Sequence, residues 1–252
     1  MHTLVLIRHG RTKWAKQNRF AGWADAPLSA SGRTEARRAG KALKERGFTF
    51  DLAQTSYLSR ARETLDLVLD VMGLTELPRE ESWRLNERHY GALQGENRAK
   101  AALLYGNDQL AQWRRDYRAR PPAQPADAPD HPRRDPRYAG VDAALLPDSE
   151  SLEDAAFRVL PWWEEHLAPL IRQGRRVVVV AHTAPIRGLA RHIEGLADQE
   201  AEAFRIATCL PLVYRFDQEL RVVEREEITS GLSSQVRRFF IKHKPGKKIS
   251  WV

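Results

Sequence analysis

A run of five apolar residues, Val177–Ala181, constrains the fold of this chain more than any other feature. Four of the five are valines, whose β-branched side chains favour a strand, and no polar residue marks a side facing solvent. Such a strand is typical of a parallel sheet that is covered on both faces. It is also far too short to span a membrane. The run therefore predicts a buried central strand.

Strand and helix patterns alternate around this run. Thr3–Ile7 and Phe48–Ala53 are apolar, strand-like segments, and the segments that follow Ser31 and Ser56 carry apolar residues at helical spacing. Alternation of this kind indicates connections through helices, which run parallel strands past one another. The pattern therefore predicts an α/β fold, with a mostly parallel central sheet and helices on both faces.

Two proline features interrupt this regularity. Six of the 14 prolines fall within residues 121–136, which predicts an irregular excursion beside the site rather than a linker between domains. Ser151, with Asp154 three residues later, predicts a capping box at the start of a long helix. Pro161 falls inside that helix and is expected to kink it.

The chain carries 41 Lys+Arg against 33 Asp+Glu, so its formal net charge is +8 over 252 residues. Such a charge is compatible with binding to nucleic acid, to an anionic surface or to a phosphorylated small molecule. Six of these positive charges lie within residues 237–248, which contain no acidic residue. The single cysteine, Cys209, excludes an internal disulfide and predicts a reducing, cytoplasmic location. A nearly balanced body with a basic C-terminal tail is therefore expected.

Two histidines stand directly after predicted strands. His9 follows Thr3–Ile7 after one arginine, Arg8, and His182 follows the valine run. Because ligands of open α/β sheets bind at the carboxyl ends of the strands, both imidazoles are expected in one crevice. Arg60 occupies a similar position near the start of a helix. Guanidinium groups pair with phosphate oxygens and repel cations, so the sequence predicts a phosphoryl-binding site without a metal.

Longer motifs accompany these residues. The main segments are Arg8-His9-Gly10, Thr55–Ala61 around Arg60, Leu85–Gly95 around Glu87, and His182. Shorter segments extend the match to about residue 228: Asn18–Phe20, Gln112–Arg115, Asp135–Tyr138 and Pro211–Tyr214. Together they resemble the histidine phosphatase superfamily and, more narrowly, its cofactor-dependent phosphoglycerate mutases. The run of eleven residues from Leu85 is the most specific of them.

The resemblance implies a fold and a setting. It implies a three-layer, phosphoglycerate mutase-like α/β domain over residues 1–236, with a helical and loop insertion at about 88–150. The tail, residues 237–252, is then expected either to close over the active site as a lid or to remain solvated. The resemblance also implies a cytoplasmic enzyme of glycolysis and gluconeogenesis that forms homodimers or homotetramers.

The resemblance also implies a chemistry. His9 would accept a phosphoryl group as a phosphohistidine, Glu87 would act as general acid and base, and 2,3-bisphosphoglycerate would supply the priming phosphoryl group without a metal. Arg8, Arg60 and His182 would surround the phosphoryl oxygens. The substrate, a small phosphorylated carboxylic acid, would be bound by Arg19, Gly22, Tyr90, Arg98, Arg114, Arg115 and Thr183.

Several positions beside these residues depart from the mutase pattern. They are Arg11 for Glu, Ala15 for Asn, Ala21 for Thr, Arg98 for Lys, Thr183-Ala184 for Gly-Asn, and Ala207–Pro211 for a Pro-Thr-Gly-x-Pro loop. Each lost donor to a charged ligand typically weakens binding by about 1.5–3 kcal/mol. The groups for phosphoryl transfer are kept while substrate-positioning groups change.

Three functions remain open on the sequence alone. The first is a 2,3-bisphosphoglycerate-dependent phosphoglycerate mutase. The second is a paralogue that uses the same phosphohistidine as a phosphatase or mutase on another small phosphorylated acid. The third, less favoured, is a catalytically weak binding protein whose basic tail contacts nucleic acid or an acidic partner.

Overall fold

The structure is a computed structural model that describes residues 1–228 and 237–240. Its strands are β1 (His2–Arg8), β2 (Leu52–Thr55), β3 (Arg79–Glu81), β4 (Val177–Ala181), β5 (Leu212–Phe216), β6 (Val222–Glu227) and β7 (Arg237–Phe240). Its α-helices are α1 (Lys13–Lys16), α2 (Ala30–Glu45), α3 (Ser59–Met72), α4 (Arg98–Tyr105), α5 (Asn107–Arg115), α6 (Leu152–Trp162), α7 (Ala168–Arg172), α8 (Thr183–Glu194) and α9 (Asp198–Ala203). Short 3₁₀ turns lie at Trp83–Leu85, Gly91–Leu93, Pro132–Arg134, Pro136–Tyr138 and Ala143–Leu145.

Within the described ranges, the strands form one sheet in the order β3-β2-β4-β1-β5-β6-β7. The four strands from β3 to β1 are parallel, whereas β5, β6 and β7 pair antiparallel on the other side of β1. The α/β class predicted from the sequence is confirmed. The sheet as a whole is mixed, because the β5–β6 hairpin and β7 continue it beyond its parallel half.

The valine run forms the central strand β4, which pairs in parallel with both β1 and β2. All of its residues are buried. Val177 and Val179 pack in a core cluster with α6 and α8, whereas Val178 and Val180 pack in a second cluster with α2 and α3. The two clusters lie on opposite faces because successive side chains of a strand alternate. The predicted doubly covered strand is confirmed, and the layers are helix, sheet and helix.

Local signals set the helix ends. The Ser29 hydroxyl accepts a hydrogen bond from the Gly32 N–H and caps α2, and Gly73 ends α3 with a left-handed φ of 76°. Ser151 and Asp154 form the predicted capping box at the start of α6. These caps fix the residues at which α2 and α6 begin and at which α3 ends.

Pro161 lies inside α6, which continues only to Trp162. A π-helical turn, Trp163–Leu167, follows and leads into α7. Proline lacks the N–H of a regular helical ladder and crowds the preceding turn, so a change of helical register at this point is expected. The predicted long helix is thus divided into α6, the π-helical turn and α7.

The second strand begins later than the sequence pattern predicted, at Leu52 rather than Phe48. Phe48 and Phe50 instead stack on each other with ring centroids 6.4 Å apart and pack against the core of the α2–α3 face. The Asp51 carboxylate accepts hydrogen bonds from the Arg176 backbone N–H at 2.8 Å and from its guanidinium at 2.6 Å. This pair fixes the starts of β2 and β4 beside each other.

The predicted C-terminal tail begins as part of the sheet. Arg237–Phe240 forms β7, which pairs with β6, so these four residues belong to the domain rather than to a separate tail. The Arg225 guanidinium lies 4.4 Å from the centre of the Phe239 ring, which helps to hold this edge strand. The rest of the predicted lid, residues 241–252, lies outside the described residues.

Residues 88–150, predicted to form an insertion, contain α4, α5 and a series of 3₁₀ turns rather than further strands. A side-chain hydrogen bond links this segment to the chain before it, because the Asn86 side-chain amide donates to the Tyr138 hydroxyl at 2.9 Å. In the described part of the chain, no helix is both long and apolar enough to cross a bilayer.

Candidate active site

Two neighbouring parallel strands carry His9 and His182 to the same edge of the sheet. His9 follows β1 and His182 follows β4, and the His9 N–H donates to the Ala181 carbonyl at 3.0 Å. Their imidazole rings lie with centroids 4.8 Å apart and with 55° between their planes. Both side chains are buried. The two histidines therefore converge at the carboxyl end of the sheet, as their positions after the strands predict.

The His9 ring is held in one tautomer. Its Nδ1 lies 2.8 Å from the carbonyl oxygen of Gly10, which can only accept, so Nδ1 carries the hydrogen and Nε2 keeps its lone pair. Burial, with the charges of Arg60 and then Arg8, holds the pKa of His9 well below its usual value. The ring is consequently neutral near pH 7, with Nε2 available as a nucleophile.

Two guanidinium groups near this ring form no ion pair with a carboxylate in residues 1–228 and 237–240. Arg60, in the first turn of α3, donates to the carbonyls of Ala24 at 2.9 Å and Gly22 at 2.6 Å, and Arg8 donates to the Ile206 carbonyl at 2.9 Å. The Nε atoms of both arginines are buried without a partner among the described residues. Burial lowers the pKa of Arg60 to about 10, which leaves it charged. Both groups can therefore receive an anion.

Gly22 occupies a position that no side chain fits. Its φ is +55°, and a Cβ there would overlap the Gln94 side-chain oxygen. That oxygen accepts the Trp23 N–H at 2.5 Å and so ties the loop around Gly22 to the Leu85–Gly95 motif. Glycine lets the loop approach closely enough to present its carbonyl to Arg60.

The Glu87 carboxylate lies at the N-terminus of α8. It accepts hydrogen bonds from the backbone N–H groups of Thr183 at 3.2 Å, Ala184 at 3.0 Å and Arg88 at 3.0 Å. Unpaired N–H groups at a helix N-terminus favour a negative charge. Glu87 also lines the same cavity as His9. Its carboxylate is therefore fixed at the cavity that His9 also lines.

His182 lies behind His9. Its Nε2 lies 2.7 Å from the Ser56 hydroxyl, and its Nδ1 is buried without a partner in the described part of the chain. Burial, then the charges of Arg60 and of His9, keeps the pKa of His182 well below its ordinary range. It is therefore a neutral ring with one polar atom left for a ligand.

His9, Arg8, Arg60, Gly22 and Glu87 open onto one cavity of about 1020 Å³, whereas the fully buried His182 does not line it. Eleven of the twelve predicted site residues line it, namely Arg8, His9, Arg19, Gly22, Arg60, Glu87, Tyr90, Arg98, Arg114, Arg115 and Thr183. The lining holds ten arginines and one lysine against two carboxylates, Glu87 and Glu202. Such a lining suits a ligand with several negative charges.

The outer arginines are oriented by aromatic rings and carbonyls. The Arg19 guanidinium stacks 4.2 Å from the centre of the Trp14 ring and donates to the Gly95 carbonyl at 2.6 Å. Arg98 lies 5.1 Å from the centre of the Phe20 ring, and its Nε is buried without a partner among the residues described. Burial, then the charge of Arg114, lowers the pKa of Arg98.

The positions that depart from the mutase pattern lie in the same cavity. Ala15, Ala21 and Ala184 line it without side-chain donors, and Thr183 adds a hydroxyl-bearing side chain. Arg11 is engaged elsewhere, since its Nε lies 3.0 Å from the Glu35 carboxylate. These substitutions therefore change the wall of the cavity directly.

Sequence reasoning assigned no role to several cavity residues. Arg187 lies four residues after Thr183 in α8, and this spacing could have placed it on the same helix face. Arg88, beside Glu87, donates to the Arg114 carbonyl at 3.1 Å. Arg205 and Lys16 lie on a loop and a short helix, where no periodic signal marks them.

Comparison with known proteins gives matches over most of the chain. The family model of the histidine phosphatase superfamily (branch 1) matches residues 4–229. A 2,3-bisphosphoglycerate-dependent phosphoglycerate mutase of Hamiltonella defensa is 46% identical over 237 residues, which cover 92% of this chain and 95% of that protein.

Solved structures show the same fold. A mycobacterial glucosyl-3-phosphoglycerate phosphatase in complex with VO3 is 26% identical and covers 88% of this chain and 95% of its own, with a TM-score of 0.66. An α-ribazole phosphatase of Shigella flexneri is 22% identical, with a TM-score of 0.64 over 86% of this chain and 92% of its own. The match of the family model over residues 4–229, together with the 46% identical relative, shows that the chain belongs to the histidine phosphatase superfamily.

Proposed function

We propose that the protein is a 2,3-bisphosphoglycerate-dependent phosphoglycerate mutase, which interconverts 3- and 2-phosphoglycerate through a phosphohistidine on His9. The observation that carries this proposal is the neutral His9 ring, whose unprotonated Nε2 is left for a cavity shared with Arg8 and Arg60. The 46% identical relative bears the name of this activity. Such an enzyme is a phosphotransferase of glycolysis and gluconeogenesis.

The residues present fit 2,3-bisphosphoglycerate. The Nε atoms of Arg8, Arg60, Arg98 and Arg187 are buried without partners in the described residues, and all four arginines line the cavity. Buried unpaired donors are costly, so an anion that satisfies them is favoured. The bisphosphate, when bound, supplies the phosphoryl group that primes His9. Arg8 and Arg60 would hold that group, and Arg19, Tyr90, Arg98, Arg114 and Arg115 would hold the carboxylate and the second phosphate.

Different residues of the chain then carry out separate parts of the phosphoryl transfer. His9 Nε2 attacks phosphorus while the bond from phosphorus to the leaving oxygen breaks. Arg8, Arg60 and His182 stabilise the charge on the remaining phosphoryl oxygens, in the place that a divalent cation takes in other phosphoryl-transfer sites. The Glu87 carboxylate takes the proton from the hydroxyl that attacks the phosphohistidine and gives it to the leaving oxygen when His9 takes a phosphoryl group back, so the cycle regenerates both residues.

A second candidate is a paralogue that acts on another small phosphorylated acid. It is favoured by Ala15, Ala21 and Ala184, which line the cavity where the mutase pattern has polar side chains. Restoring two of these donors in an Ala15→Asn/Ala21→Thr variant tests it. If phosphoglycerate is the natural substrate, we expect its KM to change less than about threefold, since the present wall already suits it. A much lower KM would favour the paralogue.

The decisive experiment follows the phosphoryl group. Wild type and His9→Ala are incubated with 2,3-bisphosphoglycerate, and their intact masses are compared. We expect a phosphate adduct on wild type alone, and turnover of 3-phosphoglycerate well above that of the variant. A wild type that acquires no adduct, or converts phosphoglycerates no faster than His9→Ala, contradicts the proposed function.

We further propose that the protein acts in the cytoplasm as a homodimer or homotetramer. The cytoplasmic location is supported by the single cysteine, Cys209, which is buried and unpaired. Light scattering after size-exclusion chromatography gives the mass of the assembly, and a monomer would contradict the oligomer.

A further inference from the structure

A buried ion pair lies directly behind Glu87. Arg158, in α6, donates from Nε to one oxygen of the Glu150 carboxylate at 2.6 Å and from Nη2 to the other at 2.9 Å. Arg158 is 7% exposed and Glu150 is 3% exposed. Bidentate pairs of this kind fix the orientation of the guanidinium plane as well as the position of its charge. Neither residue lines the cavity.

The pair binds the segment that carries Glu87. Arg158 donates to four main-chain carbonyls of residues 83–87: those of Trp83 at 3.2 Å, Arg84 at 2.6 Å, Asn86 at 3.1 Å and Glu87 at 3.2 Å. Glu150 accepts the N–H of His89 at 2.8 Å. The backbone is therefore bonded to this one ion pair on both sides of Glu87.

The segment needs such support because it belongs to no strand or regular helix. Residues 86–90 lie between the 3₁₀ turns Trp83–Leu85 and Gly91–Leu93, so no ladder satisfies their polar groups. The Glu87 carbonyl also accepts the Trp23 indole N–H at 2.5 Å. The Glu87 carbonyl is thus held by the side chains of Arg158 and Trp23, while its carboxylate lies on the N-terminus of α8.

We infer that Glu150 and Arg158 are positioning residues for proton transfer by Glu87, an inference that rests on the proposed function. Their contact with substrate is indirect, through the backbone that carries the carboxylate. A general acid must lie within hydrogen-bonding distance of the leaving oxygen, and small displacements of a reacting group lower the rate steeply. The His9 ring, by contrast, is oriented by Gly10 and not by this pair.

The test separates proton transfer from phosphoryl transfer by the leaving group. A nitrophenyl phosphate releases a stable phenolate and needs no proton from Glu87, whereas transfer from 2,3-bisphosphoglycerate to His9 leaves an alkoxide that does. The variants are Glu150→Gln, which keeps size but removes the charge, and Arg158→Lys, which keeps the charge but loses the planar fork. Glu87→Gln supplies the reference for complete loss of the acid.

A second buried pair supplies a matched control. The side chains of Glu194 and Arg225 are 6% and 12% exposed, against 4% and 5% for those of Glu150 and Arg158. The Arg225 Nη1 donates to the two Glu194 carboxylate oxygens at 2.7 Å and 2.9 Å, away from the Glu87 segment. Glu194→Gln therefore removes a comparable buried charge without touching the site. Thermal unfolding of each variant shows how far folding itself is affected.

For Glu150→Gln and Arg158→Lys, we expect kcat with phosphoglycerate to fall about 10–100-fold, towards that of Glu87→Gln, as loss of general acid catalysis predicts. The burst of His9 phosphorylation by nitrophenyl phosphate should stay within about threefold of wild type, and Glu194→Gln should leave both reactions unchanged. Equal losses with both substrates, or an equal effect of Glu194→Gln at similar stability, would overturn the inference. Absence of the burst in wild type would instead contradict the proposed function.

If Glu150→Gln does not fold, Arg158→Lys and a Trp23→Phe variant carry the test. Trp23→Phe removes the other hydrogen bond to the Glu87 carbonyl but keeps both residues of the ion pair and an aromatic ring beside Arg158. It should lower phosphoglycerate turnover in the same selective way, though less than Arg158→Lys does. A Trp23→Phe enzyme that loses both reactions equally would count against positioning of Glu87.

Discussion

The rings of His9 and His182 lie 4.8 Å apart, and both are buried near the positive charge of Arg60, which keeps both rings neutral near pH 7. Burial and the positive charge of Arg60 each disfavour a further proton on either ring, so both pKa values lie well below the ordinary one. In the unfolded chain, each ring would take up a proton near its usual pKa of about 6.5.

The lowered pKa of His9 predicts acid sensitivity of folding. Below about pH 6.5 the unfolded chain binds a proton that the folded ring does not, so the free energy of unfolding falls as the pH falls. His9→Gln removes this contribution and leaves the other histidines in place. Urea unfolding at about pH 7.5 and about pH 5.5 should show a smaller loss of stability for the variant than for wild type. Parallel losses would show that His9 is not held neutral by the fold.

Arg60 is predicted to be required for the chemical step. Lysine keeps the positive charge in Arg60→Lys, but its single ammonium group cannot donate hydrogen bonds to two carbonyls and a phosphoryl oxygen at the same time in the arginine geometry. We expect kcat to fall about 10²–10³-fold with a smaller change in KM, as for the loss of a preorganised donor to a transition state. Steady-state kinetics measure this effect. Arg33→Lys, in a partly exposed pair with Glu63, is the control and should retain full activity.

The strand-end histidines could be predicted from the sequence because position after a buried strand fixes where a side chain points. The valine run predicted a strand that is buried on both faces, and Ser151 predicted the start of a helix. These features depend on neighbours in the chain. They could therefore be predicted from the sequence without knowledge of tertiary contacts.

Other features depend on contacts between distant segments. The four carbonyls bound by Arg158 lie 71 to 75 residues away in the chain, so no local pattern predicts them. Likewise, β2 begins at Leu52 because Asp51 pairs with Arg176 across the sheet, which overrides the apolar pattern from Phe48. The strand at Arg237–Phe240 was missed because its basic residues resemble a solvated tail.

Cys209 is predicted to be unreactive in the folded protein. Burial raises the pKa of its thiol to about 12, so almost no thiolate exists at about pH 8, and the thiolate is the reactive form. We expect the native protein to react with an aromatic disulfide reagent at least about 100-fold more slowly than the protein in denaturant. Because the chain has a single cysteine, absorbance of the released thiolate measures this site alone. Comparable rates would contradict the burial of Cys209.

Gly22→Ala tests the close approach of the loop that orients Arg60. The substitution adds a Cβ at a φ of +55° and against the Gln94 side chain, whereas Gly195→Ala adds one at a similar φ of +67° into open space. Left-handed strain alone costs about 1–2 kcal/mol, and overpacking adds about 1–3 kcal/mol. Urea unfolding should therefore show a larger loss for Gly22→Ala. Only this variant should also lower kcat, because its carbonyl binds Arg60, and equal effects of the two variants would contradict the close approach.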